Sequence, residues 1–181
     1  MAERITFPGP GIELRGELIR PAGEGPFPAV VALHGCGGIF RRDGERHSPR
    51  HDDWAKRLVA SGFVVLFPDS FNSRGFEQIC TLKDRPITAK ARGDDVLAAS
   101  RWIAAQPYVD KNRLALLGWS HGASTTLWTI GQALPPDAPR LNAAIAFYPG
   151  CAAIARSDGW RPHVPLTILM GAADDWTPAA P

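Results

Sequence analysis

Gly118-Trp119-Ser120-His121-Gly122 sets a serine between two glycines, and its neighbours decide whether that serine can attack a carbonyl carbon. The run before it, Arg113 to Leu117, is continuous and rich in leucine, as in a strand buried on both faces. The run after it, from His121 through Trp128, reads as a helix. A serine at so sharp a strand-to-helix bend sits in a strained conformation with its hydroxyl clear of the sheet, and glycines on either side avoid side-chain clashes. A bare G-x-S-x-G is weak because both residue types are common. In this context Ser120 is the candidate nucleophile, and an ordinary turn serine is the plain alternative.

Acyl transfer also needs donors for the oxygen that becomes negative, a base, and an acid that orients the base. His34-Gly35-Cys36-Gly37-Gly38 follows the apolar run Ala29 to Leu33, and its glycines let the backbone approach closely. The expected donors are the backbone N–H groups of Cys36 and of His121, the residue after the serine, with His34 a structural residue. The acid is expected in Gly171-Ala172-Ala173-Asp174-Asp175, after a late strand. Asp174 sits at the bend and is the candidate; the plain alternative is that one or both aspartates only cap a helix starting near Thr177-Pro178, which is the expectation for Asp175.

The base is harder to find. The imidazole of His121 should diverge from Ser120 at the bend. His47 and His51 fall in the loop after the glycine run with nothing to aim them, and His163 should enter from the opposite end of the sheet.

The elements that must position these residues alternate between short apolar runs and helical stretches, which implies strand–helix units and a parallel sheet. Gly11 to Arg20 alternates at period two and should be a half-exposed strand near an edge. Ala29–His34, Phe63–Asp69, Arg113–Gly118, Ala143–Gly150 and Leu166–Gly171 are the buried strands. Helices are expected over residues 49–61, with Trp54, Leu58 and Val59 on one face and Gly62 as cap. Others follow over residues 88–106, with Val96, Ala99, Trp102 and Ile103 as the apolar stripe, and from His121 to about Leu134. No linker divides residues 1–181, so one domain is expected.

Composition bounds the function. Of 181 residues, 45% are hydrophobic and 21% charged, as in globular proteins, and the net charge of +2 gives no argument for nucleic acid or an anionic membrane. No apolar run reaches the ~18 residues of a membrane span, and the first residues lack the apolar core of a secretory signal, so a cytoplasmic location is expected. Cys36, Cys80 and Cys151 form no CxxC pair, so neither metal nor cofactor is implied. Three free thiols are the plain expectation, although Cys36 and Cys80 fall in loops on one edge of the sheet and could meet. On that edge Arg74, in Ser70–Phe76, is the expected substrate-binding residue, through an arginine fork on a substrate carboxylate. The arginine-dense loop with Arg41, Arg42, Arg46 and Arg50 reads as solvated, paired with Asp43 and Glu45. Trp119 and Tyr148 are candidates for either pocket wall or core.

Taken together, HGCGG, PDSFNSRG, QPYVDKNRLALLGWSHG, YPG and GAADDWTP occur in that order along nearly the whole chain, which resembles the dienelactone hydrolase family of α/β-hydrolases. The resemblance implies an α/β-hydrolase fold, a mostly parallel doubly wound sheet with helices on both faces. It also implies a triad in the order nucleophile, acid, histidine, and hydrolysis of a small ester or lactone through an acyl-serine intermediate. Members that give the family its name attack with cysteine, whereas this chain offers Ser120. The family's histidine follows the acid, and only Trp176 to Pro181 follow Asp174 and Asp175 here. The expected missing stretch is a helix, a strand, the histidine loop and a terminal helix, roughly 40–60 residues. A shortened gene, a proteolytic fragment whose other C-terminal piece is separate, or a protein working without the triad would account for it. Low activity of this chain alone is then expected. A peptidase or acetyl-ester esterase on the same fold and a non-catalytic binding module that retains the pocket are the alternatives.

Overall fold

The computed structural model describes residues 2–40 and 47–179. Seven strands form one sheet in the order β1-β2-β4-β3-β5-β6-β7. β1 (Glu3–Pro8) and β2 (Glu13–Ile19) are an antiparallel hairpin, and β2 pairs antiparallel with β4 (Val64–Asp69). From β4 onward through β3 (Phe27–Leu33), β5 (Val109–Trp119), β6 (Leu141–Phe147) and β7 (Leu166–Leu169) every pairing is parallel. β1 has no counterpart among the expected strands, because only Phe7 of its six residues is buried and the apolar signal is thin.

Both faces of the central strands are covered, which explains their continuous apolar runs. On one face Val30, Ala32, Val65, Phe67, Leu117 and Trp119 pack with Ala55 of α1 (Pro49–Ala60). On the other, Val31, Leu33, Leu66 and Leu116 meet Val96, Ala99 and Ile103 of α2 (Arg92–Ala104) and Ile130 of α3 (His121–Ile130). The expected α/β architecture is therefore present. α2 starts four residues later than expected, because Thr88 caps the turn before it by accepting from the Ala91 amide. α3 stops at Ile130, where a Cβ on Gly131 would overlap the indole of Trp160. A short α4 (Ala152–Ala155) has no counterpart in the sequence reading.

The outer edge of β7 pairs with no strand among the described residues, and Ile168 and Leu169 are 43% and 45% exposed there. The plain expectation of three free thiols does not hold. Cys36 and Cys80 form a disulfide, leaving Cys151 as the free cysteine. The two loops meet because β3 and β4 are parallel neighbours, so the loops that leave them emerge at the same edge. No described helix is long and apolar enough to cross a membrane.

Candidate active site

Ser120 lies between the last residue of β5 and the first of α3, with φ 52° and ψ −117°. That is a left-handed backbone value for a side chain that disfavours it, and the surroundings hold it there. The Ser120 amide donates to the Phe147 carbonyl at 2.9 Å, and its own carbonyl accepts from the Ser124 amide at 2.9 Å. Gly122 is packed so tightly against the end of β3 that a Cβ there would overlap the Leu33 carbonyl oxygen and lie 2.6 Å from that of His34. A Cβ on Gly118 would likewise overlap the Gly122 carbonyl and come within 2.6 Å of the Ala123 nitrogen. Both glycines are thus required by contact with backbone, which cannot move aside as a side chain can.

Gly35 brings the second segment to this bend, since a Cβ on it would sit 3.5 Å from Cβ of Ser120. The Gly38 amide closes a turn on the Gly35 carbonyl at 3.2 Å, and the Cys36 carbonyl accepts from Ile79 at 2.8 Å. The disulfide then joins Cys36 to the segment after β4. No backbone acceptor among the described residues pairs with the amides of Cys36 or His121. Ser124, one turn into α3, is hydrogen-bonded at its hydroxyl to the Gly150 amide at 2.9 Å, tying the helix to the loop after β6.

Ser120, His121 and Cys36 border an open cleft of about 810 Å³, with Trp128, Arg85 and Lys90 among its other walls. A larger one, about 1010 Å³, lies beyond the disulfide between the β1–β2 hairpin and residues 77–81. Among the described residues its lining includes neither Ser120 nor any histidine, so the smaller cleft is the candidate site.

All five histidines are described, and among them His121 alone borders the cleft. His34 is buried, with Nδ1 on the Gly35 carbonyl at 2.8 Å, and burial pushes its pKa well down. His47 Nε2 meets Glu17 at 2.6 Å. His51 Nδ1 lies 3.1 Å from the Ile39 carbonyl and 3.0 Å from the Ser48 hydroxyl, and burial lowers its pKa to about 4. His163 donates its backbone N–H to Ile130, ten helical residues and about 15 Å from Ser120. The imidazole of His121 accepts at Nδ1 from Nη1 of Arg92 at 3.0 Å. Burial first, and then the charges of Arg92 and Arg85, lower its pKa to about 3. A nitrogen so occupied and so weakly basic cannot take the serine proton near neutral pH.

These buried imidazoles make stability depend on pH. His51 and His121 have folded-state values of about 4 and about 3, below the ordinary 6.5, so the unfolded chain binds more protons between those limits. Their contribution is complete above pH 6.5 and is lost as pH falls. Each withdraws on the order of 2 kcal/mol between pH 6.5 and pH 5. Urea midpoints measured across that range should fall with pH, and a flat profile would contradict neutral burial.

Two expectations about side chains change. Arg74 does not line the cleft. Its Nη1 and Nη2 donate to the two carboxylate oxygens of Asp95 at 2.9 and 2.8 Å, because Asp95 is buried on α2 and needs a counter-charge. The cleft's cations are instead Arg85 and Lys90, for which the basic stretch Lys83 to Lys90 was the available signal. Asp174, not Asp175, makes the capping contacts: it accepts from the amides of Trp176 and Thr177 at 3.0 and 2.8 Å and from the Thr177 hydroxyl at 2.7 Å. Those bonds from Thr177 hold its carboxyl below the usual carboxylate range, while Asp175 borders the cleft. Trp119 is core, stacked between Phe67 and Phe147, whereas Tyr148 is half-buried under Arg50. Arg41, Arg42, Asp43, Glu45 and Arg46 lie outside the described residues. Arg92, buried beneath the bend, had no place in the sequence reading.

The profile of the dienelactone hydrolase family matches residues 14–181. The chain belongs to the dienelactone hydrolase family. Its fold is shared with a dienelactone hydrolase-like promiscuous phosphotriesterase from metagenomic libraries, at TM-score 0.75 and 22% identity over 97% of this chain and 70% of the other. Dipeptidyl peptidase 4 of Porphyromonas gingivalis superposes at TM-score 0.69 with 24% identity, over 96% of this chain and 28% of that one. In sequence, the uncharacterized peptidase YuxL of Bacillus subtilis (strain 168) is 31% identical over 126 residues, 67% of this chain. The match spans only 18% of that relative's length.

Proposed function

We propose that this member of the dienelactone hydrolase family cleaves a small ester or lactone through an acyl-serine intermediate on Ser120. The observation that carries the reading is the strained φ of Ser120, held by two glycines whose Cβ positions are filled by backbone. Strain of this kind persists only where the surroundings impose it, and it clusters at reactive sites. The hydroxyl attacks the carbonyl carbon, and the resulting oxyanion takes hydrogen bonds from the amides of Cys36 and His121, which have no backbone acceptor among the described residues. Collapse expels the alcohol and leaves the acyl-serine, which water then releases. Neither step calls for a metal or cofactor.

The proton acceptor in this reading is a histidine outside these 181 residues, since His121, the one described histidine at the cleft, is occupied by Arg92. It would be seated against the open edge of β7 and oriented by Asp174, whose carboxyl the Thr177 hydrogen bonds hold below the usual carboxylate range. Arg85 and Lys90 give the cleft a positive rim suited to an acidic substrate. A peptidase on the same fold is the second reading, favoured by the 31% identity to a bacterial peptidase. Location follows the state of the disulfide, which stays open in the reducing cytoplasm expected from the sequence and closed in an oxidising compartment. Alkylating the protein in cells before lysis reads which.

The test is a fluorophosphonate probe on the protein as its source makes it, followed by mass spectrometry. Label on Ser120, absent from Ser120→Ala, is the expected result, and no label on Ser120 would overturn the reading. Short p-nitrophenyl esters against peptide substrates then separate esterase from peptidase.

A further inference from the structure

Arg92 is the first residue of α2 and has no exposed surface. Its Nη1 donates to the His34 carbonyl at 3.0 Å and to Nδ1 of His121, also at 3.0 Å. Its guanidinium lies 4.9 Å from the centre of the Phe71 ring, which itself packs edge-on against both His34 and His121. Nε and Nη2 find no partner among the described residues. Asp95 and Asp69 stabilise the charge from nearby without a direct bond, since Asp95 is held by Arg74 and Asp69 by Asn72 and the Phe71 amide. A fully buried cation with one bonded nitrogen is expensive. Burial of the side chain therefore does not by itself account for an arginine here.

What it touches does. The His34 carbonyl opens the turn that leads to the Cys36 amide, and His121 supplies the other amide. One guanidinium nitrogen thus joins the two segments whose N–H groups must converge on a single oxygen. It also accounts for the His121 tautomer, because an Nδ1 that accepts from arginine leaves the ring proton on Nε2. We propose that Arg92 is the positioning residue of the oxyanion site. It clamps the loop after β3 to the start of α3, and places a fixed positive charge behind the two amides. Arg92 does not touch substrate. The proposal rests on Ser120 being the nucleophile.

The experiment compares wild type, Arg92→Met and Arg92→Lys in the full protein by three measurements. These are the rate of fluorophosphonate labelling at Ser120, the urea midpoint, and the nitrogen resonances of the His121 ring. Arg92→Met is expected to lower the midpoint by leaving the His34 carbonyl and Nδ1 of His121 unpaired, to label about tenfold or more slowly where it is still folded, and to move Nδ1 of His121 away from its hydrogen-bonded position. Arg92→Lys keeps the charge but not the two-pronged contact, and should fall between the two; it decides the matter if the methionine variant does not fold. A folded variant that labels at the wild-type rate overturns the proposal alone. Wild type that fails to label overturns the nucleophile reading and this one with it, whatever the His121 resonances show.

Discussion

Gly122→Ala should lose about 3 kcal/mol or more of folding stability, a large effect for one added methyl group. The new Cβ would overlap the Leu33 carbonyl oxygen and lie 2.6 Å from that of His34, both backbone atoms in or beside a central strand. Neither can rotate away, so α3 must lift from β3 or the elbow must unwind, and Ser120 leaves its strained conformation in either case. Gly37→Ala is the control. It lies in the same region with nothing within 4 Å of its would-be Cβ, and its φ is not left-handed. Urea midpoints should separate the two variants clearly. Equal midpoints would mean that the close approach of α3 to β3 is wrong.

Opening the Cys36–Cys80 bridge should cost about 4 kcal/mol, the loop-closure value for residues 44 apart in sequence. The effect on reactivity should be large as well. The bridge, the Ile79–Cys36 backbone bond and the close approach of Gly38 to the Glu77 carbonyl pin the loop that carries Cys36 to the excursion between β4 and α2. That excursion carries Arg85 and Lys90 into the cleft. Mild reductant, or Cys80→Ser, should therefore slow labelling of Ser120 at concentrations of urea where the fold persists. Labelling that is indifferent to reductant would show that the loop holds its shape without the bridge.

Much of this was legible in the sequence, for a physical reason. Strands buried on both faces must be apolar throughout, so β3, β4 and β5 announce themselves, and an elbow between such a strand and a helix has few serine-compatible solutions. The hairpin strand β1 was not legible because it buries a single side chain. Short-range chemistry decided Asp174: its bonds to the two residues beyond it are local, and the sequence places Asp174 and Asp175 equally well for them. The roles of Arg74 and Arg92 depend on partners that are 21 and 58 residues away, across α2 and β3. No window of sequence contains both ends of such a contact. Cys36 and Cys80 show the opposite, since parallel neighbours deliver their loops to one edge and the meeting could be foreseen as a possibility.

The contact of Gly122 with Leu33 also says something about time. β3 and β5 are adjacent in the sheet, yet the stretch that forms β4 and α2 separates them in the chain, and such non-local pairings form late in folding. Until β3 lies beside β5 there is no carbonyl for Gly122 to press against and nothing to hold Ser120 at its left-handed φ. On the proposed reading, a nascent or half-folded chain thus carries a serine not yet held for attack. The onset of probe labelling during refolding would then act as a clock for the closing of the central sheet.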